Sequence, residues 1–113
     1  MPFVIDKVEL PLSGSTRVFE GSQYCDTHVS FFLVDTPPGD GPDLHTHPCE
    51  EIFVVQEGQV TITVGDATIE AIGGQIVIAP AGIPHKFVSS GAGPFRSINI
   101  HPNRSIVTTW PQD

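Results

Sequence analysis

The chain has 113 residues, with 5 Lys plus Arg against 13 Asp plus Glu, for a formal charge of −8. Its length fits one domain, residues 1–113, with a core large enough to stand without disulfide or metal staples. The shortage of basic residues argues against nucleic acid or an anionic membrane as partner, and a charged fraction of only 16% is not that of a disordered acidic tail.

Strand signals begin at the N-terminus. Phe3–Leu12 reads as an edge strand that Pro11 terminates. Val29–Val34 is β-branched, aromatic or apolar at nearly every position, and Ile52–Val55 is the same. Val60–Val64 alternates, with Val60, Ile62 and Val64 on one face. Gly65-Asp66 reads as a hairpin turn into Ala67–Ile72. Gly73-Gly74 precedes Ile76–Ala79, and Pro80-Ala81-Gly82 turns the chain toward His85–Ser89. A Gly91–Pro94 loop leads to Phe95–His101. The 102–113 tail is less patterned, and Trp110 is its one large anchor, for docking on the body or on a partner chain. No stretch carries three turns of helical periodicity. Short strands at this spacing predict an all-β antiparallel sandwich or barrel.

No apolar run approaches the roughly 18 residues of a membrane span. The N-terminus lacks a basic segment followed by an apolar one, so no signal peptide is expected. Cys25 and Cys49 then read as reduced thiols in the cytoplasm.

The chemistry concentrates in four residues. His45 and His47 are two apart, so in extended chain both rings face one side. Glu51 opens the Ile52–Val55 strand, and His85 follows the Pro80–Gly82 turn. Three neutral imidazoles and one carboxylate suit a divalent first-row ion, whether Fe(II), Mn(II), Ni(II), Cu(II) or Zn(II). An isolated His in a β-rich loop is usually a surface or hydrogen-bonded residue. The spacing here changes that reading. Gly39, five residues, His45, one, His47, three, Glu51, six, Gly58 make one segment. Gly74, five residues, Pro80, one, Gly82, two, His85 make the other.

These two segments resemble the paired motifs of the cupin superfamily. The first matches at all five positions. The second departs at its end, where the family often has Asn and this chain has Ser89. The 15-residue Gln59–Gly73 linker is similar to that of small single-domain bacterial cupins. The resemblance spans residues 28–101. It implies an antiparallel double-stranded β-helix, the jelly-roll barrel. It also implies a metal held by His45, His47, Glu51 and His85 near one open end, and a homodimer. Fe or Mn is the favoured ion.

Strand parity extends the expectation. Glu51, Phe53 and Val55 would line one wall of the barrel, with Ile52 and Val54 outside and in need of cover from another sheet or subunit. Ser97, Asn99 and His101 share a face. Turned inward they could contact substrate or shuttle a proton, and turned outward they have no role. Phe53, Val55, Ser89, Asn99 and His101 are therefore the candidate pocket residues. Glu50 has the opposite parity to Glu51 and reads as solvated, Cys49 as a small filler, and His28 as a surface residue. Arg96 and Lys86 alternate away from the lumen, leaving no clamp for a carboxylate or phosphate.

The expected function is a metalloenzyme acting on a small organic molecule, as a dioxygenase-like oxidoreductase or as an isomerase or lyase. No separate general base can be assigned. The alternative is a non-catalytic module that binds or senses a small ligand or a metal. A structural Zn site is the third reading, weakened because a domain of this size does not need the ion to fold.

Overall fold

The computed structural model describes residues 4–111. Strands take up 47% of the chain and helical turns 6%, so the fold is all-β. Nine strands follow in order: β1 (Leu12–Ser13), β2 (Thr16–Phe19), β3 (Ser30–Thr36), β4 (Glu51–Glu57), β5 (Gln59–Val64), β6 (Ala67–Ile72), β7 (Ile76–Ala79), β8 (His85–Ser89) and β9 (Phe95–His101). All pairings are antiparallel. They build a six-stranded sheet, β1-β2-β3-β9-β4-β7, and a three-stranded sheet, β6-β5-β8. This is the jelly-roll arrangement. The sheets do not close into one hydrogen-bonded barrel; a bridge between His45 and His85 joins the segment before β4 to β8.

The N-terminal segment differs from its expected form. Lys7–Glu9 makes one 3-10 turn, capped by the Asp6 carboxylate accepting from the Val8 amide, and pairing starts only at Leu12. Phe3 lies outside the described residues. A cap residue followed by a turn satisfies amides locally, which competes with a ladder. Pro11 has no amide to give, and its carbonyl accepts from Val18 at the sheet edge.

The space between the sheets is divided lengthwise. At one end Val34, Phe53, Val55, Val60, Ile62, Ala71, Ala79 and Phe95 form the apolar core, with Phe32, Val64, Val77 and Phe87 packed against it. At the other end the inward residues are polar. β4 runs from Glu51 into Phe53 and Val55; β9 runs from Phe95 through Ser97 and Asn99 to His101; β8 starts at His85 and reaches Phe87. Each strand thus carries a core half and a site half.

Gly58 holds the β4–β5 junction. Its φ is +86°, and a Cβ there would stand 2.3 Å from the Pro94 carbonyl oxygen. Only glycine allows that approach. The register of β4 against β9 also shifts between Val55 and Glu57, a bulge that bends the strand into the turn.

Candidate metal centre

His45, His47, Glu51 and His85 converge at the polar end, their ligand atoms all within 4.8 Å of one another. Each is buried, at 5%, 4%, 3% and 1% exposure. The segment carrying the two first histidines is extended. His45 exchanges both backbone hydrogen bonds with His85, and Thr46 exchanges both with Thr109 of the tail. Alternation along that extended chain turns both rings inward.

Backbone carbonyls fix the rings. His45 Nδ1 donates to the Asp43 carbonyl (2.6 Å), His47 Nδ1 to Val107 (2.8 Å) and His85 Nδ1 to Ile83 (3.2 Å). A carbonyl can only accept, so each Nδ1 carries a proton, and each Nε2 faces the centre, where it offers a lone pair to an ion or, in the imidazolium form, donates to Glu51. This is the second contact that metal-binding histidines ordinarily make. Two of the three carbonyls sit two residues before their histidine. The third comes from the tail.

Glu51 completes the set. Its Oε1 lies 2.9 Å from His85 Nε2 and 3.4 Å from both His47 Nε2 and His101 Nε2. Its Oε2 accepts from Asn99 Nδ2 at 2.8 Å, and Asn99 Oδ1 accepts in turn from the Ser97 hydroxyl at 2.6 Å. Burial works to raise the Glu51 carboxyl, but His101, His47 and His85 around it overcome that and hold it well below the usual carboxylate range. Burial lowers His45 against the help of the Asp43 carbonyl. At His47 burial also works downward, yet the Glu51 carboxylate and the Val107 carbonyl outweigh it and the ring is raised.

Three lone pairs and a carboxylate oxygen facing one another are all acceptors. At 2.9–3.4 Å they repel unless a proton or a cation lies between them. Two donors at right angles on a first-row ion stand about 3 Å apart. The residues present therefore fit such an ion.

The centre opens into a cavity of about 790 Å³. His45, His47, Glu51 and Asn99 form its floor. Its walls include Phe32, Phe87 and Trp110, and Glu20 and Asp40 bring acidic groups. Among the described residues the lining has no Lys or Arg. Trp110 packs on His45 with ring centroids 5.0 Å apart, so the tail docks on the body of its own chain.

Asn99 and His101 face inward, as one of the two parity alternatives required. Phe53 and Val55 also face inward but lie in the apolar core and do not line the cavity. Ser89 is buried with its hydroxyl unpartnered. It stands four residues along β8 from His85, about 13 Å away, and does not reach the cavity either. Glu50 and His28 are exposed. Cys49 is half-buried, its thiol pushed up by burial and then by the Glu50 charge. Arg96 points outward, 3.7 Å from both Asp35 and Glu57. In the tail, Trp110 is the anchor that the sequence marks, whereas the Val107 carbonyl that orients His47 leaves no mark, because any residue at that position supplies a carbonyl.

The sequence profile of the cupin domain family matches residues 32–101. Among curated proteins, the HTH-type transcriptional regulator PuuR of Escherichia coli is 36% identical over 55 residues, covering 49% of this chain and 30% of that protein. An uncharacterized protein of Streptomyces coelicolor is 34% identical over 59 residues, covering 52% of this chain and 54% of its own length. The chain thus spans about half or less of the length of the curated relatives it matches. Among solved structures, an oxalate decarboxylase of Bacillus subtilis studied for its Mn(II) centres superposes with a TM-score of 0.83 at 18% identity, over 93% of this chain and 31% of that one. The oxalate decarboxylase of Lactobacillus farciminis in its formate complex gives 0.78 at 18% identity, over 85% and 30%. The fold, the two spaced motifs and the profile match agree, and the chain belongs to the cupin family.

Proposed function

We propose that this chain is a metal-dependent enzyme acting on a small organic molecule, with Fe(II) or Mn(II) held by His45, His47, Glu51 and His85. The observation that carries this reading is the convergence of four acceptor atoms, three of them on rings pre-oriented through Nδ1, at the floor of an open cavity. A cavity of this size suits a small-molecule site. When bound, the ion would supply Lewis acidity or dioxygen activation, the chemistry of an isomerase or lyase or of a dioxygenase. The chain's own residues bind and orient. Phe32, Phe87 and Trp110 cover the apolar part of a substrate, and Asn99 holds Glu51 so that Oε1 alone faces the histidines.

Oxalate is not the substrate favoured here. A small dianion would meet Glu20 and Asp40 and no cationic side chain, so the lining suits an uncharged molecule. Elemental analysis of protein made without added nickel, then an oxygen-uptake screen over catechols, diketones and thiols, with hydroxy acids as the anionic contrast, tests the reading. One first-row ion per chain and turnover on an uncharged substrate are expected. Protein free of such metal and unable to take it up would overturn it. The match to PuuR favours a second reading, a sensing module without turnover. Ligand binding with no product in that screen would select it.

Removing residues 102–113 takes away the Val107 carbonyl and the Trp110 wall, while every strand is kept. Metal affinity measured against a competing chelator should fall about 10–100-fold.

The reading includes a cytoplasmic homodimer. Two apolar rows cross the outer face of the six-stranded sheet: Phe31, Ile100, Ile52, Ile78 and Leu33, Ile98, Val54, Ile76. Ile76 and Ile78 are 65% and 60% exposed. Pairing these faces would cover them. Sedimentation at micromolar concentration should give twice the 12.1 kDa chain mass, and a species at the chain mass would contradict it.

A further inference from the structure

His101 lies outside both spaced motifs, yet it ends β9 beside Glu51. It is completely buried. Its ring meets the edge of Phe32 at 5.3 Å and the ring of His47 at 4.4 Å. Among the described residues neither of its nitrogens has a hydrogen-bond partner. A neutral imidazole carries one donor and one acceptor, and buried groups of that kind are rarely left unpaired. The Nε2 atom is 3.4 Å from Glu51 Oε1 but out of line for a hydrogen bond. His47 Nε2 stands at the same 3.4 Å from the same oxygen. His101 Nε2 is thus as close to the carboxylate as His47 Nε2, although it stands outside the four ligand atoms that lie within 4.8 Å of one another.

We propose that His101 is a fifth donor of this site, its Nε2 completing four imidazoles and one carboxylate. The proposal rests on the metal-dependent reading above and deepens it. Five protein donors leave a six-coordinate ion one exchangeable position instead of two, so a substrate would attach through a single atom. His101 also differs from the other three rings. No carbonyl anchors its Nδ1; Phe32 and His47 set its plane by packing alone. Its contribution to affinity should therefore be smaller than theirs, about tenfold, the low end of the range for partners at a metal site.

The test uses the full chain loaded with Mn(II). A crystal structure of that form should place His101 Nε2 within bonding distance of the ion. In His101→Gln and His101→Ala, Mn(II) affinity measured by chelator competition should fall about tenfold with one ion still bound per chain. Added imidazole should restore it in His101→Ala, where the ring's space is vacant, and not in His101→Gln. A merely structural role for the ring would lower the melting temperature of the metal-free protein without any rescue by imidazole. An ion bound by the motif residues with His101 beyond reach, and affinity unchanged in both variants, would overturn this proposal and leave the metal-dependent reading standing. A wild-type chain that takes up no Mn(II), Fe(II) or other first-row ion would overturn both.

Discussion

Glu51→Gln is expected to empty the site of metal and leave the fold standing. Glu51 is the one anionic member of the motif set, buried among imidazoles whose Nε2 atoms lie 2.9–3.4 Å from its Oε1. An amide has no charge to offset that of a divalent ion in a poorly solvated site. Loss of an outer hydrogen bond to a ligand already costs 10–100-fold in affinity, so loss of the charged ligand should cost at least about 100-fold, or about 2.8 kcal/mol. The metal-free fold should tolerate the change. The carbonyl of the substituted side chain can still accept from Asn99 Nδ2, and its NH2 can donate to the acceptor nitrogens opposite. Acid behaviour gives a second readout. The Glu51 carboxyl is held below its unfolded value, so its share of stability is complete above the ordinary carboxylate pKa and is lost as pH falls through the folded one. Wild type should therefore lose this share in acid, and the Glu51→Gln variant should not. Calorimetric titration with Mn(II) and melting curves from neutral to acid pH measure both. Unfolding of the variant at neutral pH would point to a structural metal instead.

Phe53→Ala should have the larger effect on the fold and little on the site. Phe53 is fully buried, edge-on to Phe87 at 5.5 Å, and Phe87 meets Phe95 at 5.6 Å. These aromatic pairs hold the two sheets together. Truncating a buried Phe costs about 3–5 kcal/mol, a large part of the 5–15 kcal/mol typical of a domain. A fall of about 12–20 °C in melting temperature is expected. Metal affinity of the folded protein should change little, because the ring lies inside the core and does not touch the cavity. A small loss of stability joined to a large loss of ligand affinity would return Phe53 to the cavity wall.

These two residues show what can be read from the sequence. Strand alternation puts Glu51, Phe53 and Val55 on the inner face, and they are there. It also puts Asn99 and His101 on one face without telling which. Alternation gives the side of a sheet but not the distance along it. Which end of the inner face is filled and which stays open depends on side chains from other strands, such as Val34, Ile62 and Phe95 against Phe53. Phe53, Val55 and Ser89 are thus candidates for a cavity they do not line. The motif spacings locate the four converging residues because each sits at a turn or strand start that the glycines and prolines mark. Two features leave no such mark. At residues 7–9 a local cap wins over strand pairing, and in the tail the Val107 carbonyl orients His47 from 60 residues away.

The place of β9 has a consequence for how the chain folds as it is made. β9 is synthesised after the other eight described strands, yet it lies between β3 and β4 in the large sheet, with Ser30 opposite His101 and Ile52 opposite Ile100. Until it arrives, β3 and β4 share no ladder, and each leaves a row of amides and carbonyls open. A ribosome-bound chain ending before Phe95 would therefore hold two apolar strands, β3 beside β2 and β4 beside β7, each with one open edge, the kind of intermediate that aggregates. Pairings this distant in sequence also slow folding, toward milliseconds to seconds. Until β9 docks, Glu51 would also lack both Asn99 and His101, so the site beside β4 is completed only when that strand arrives.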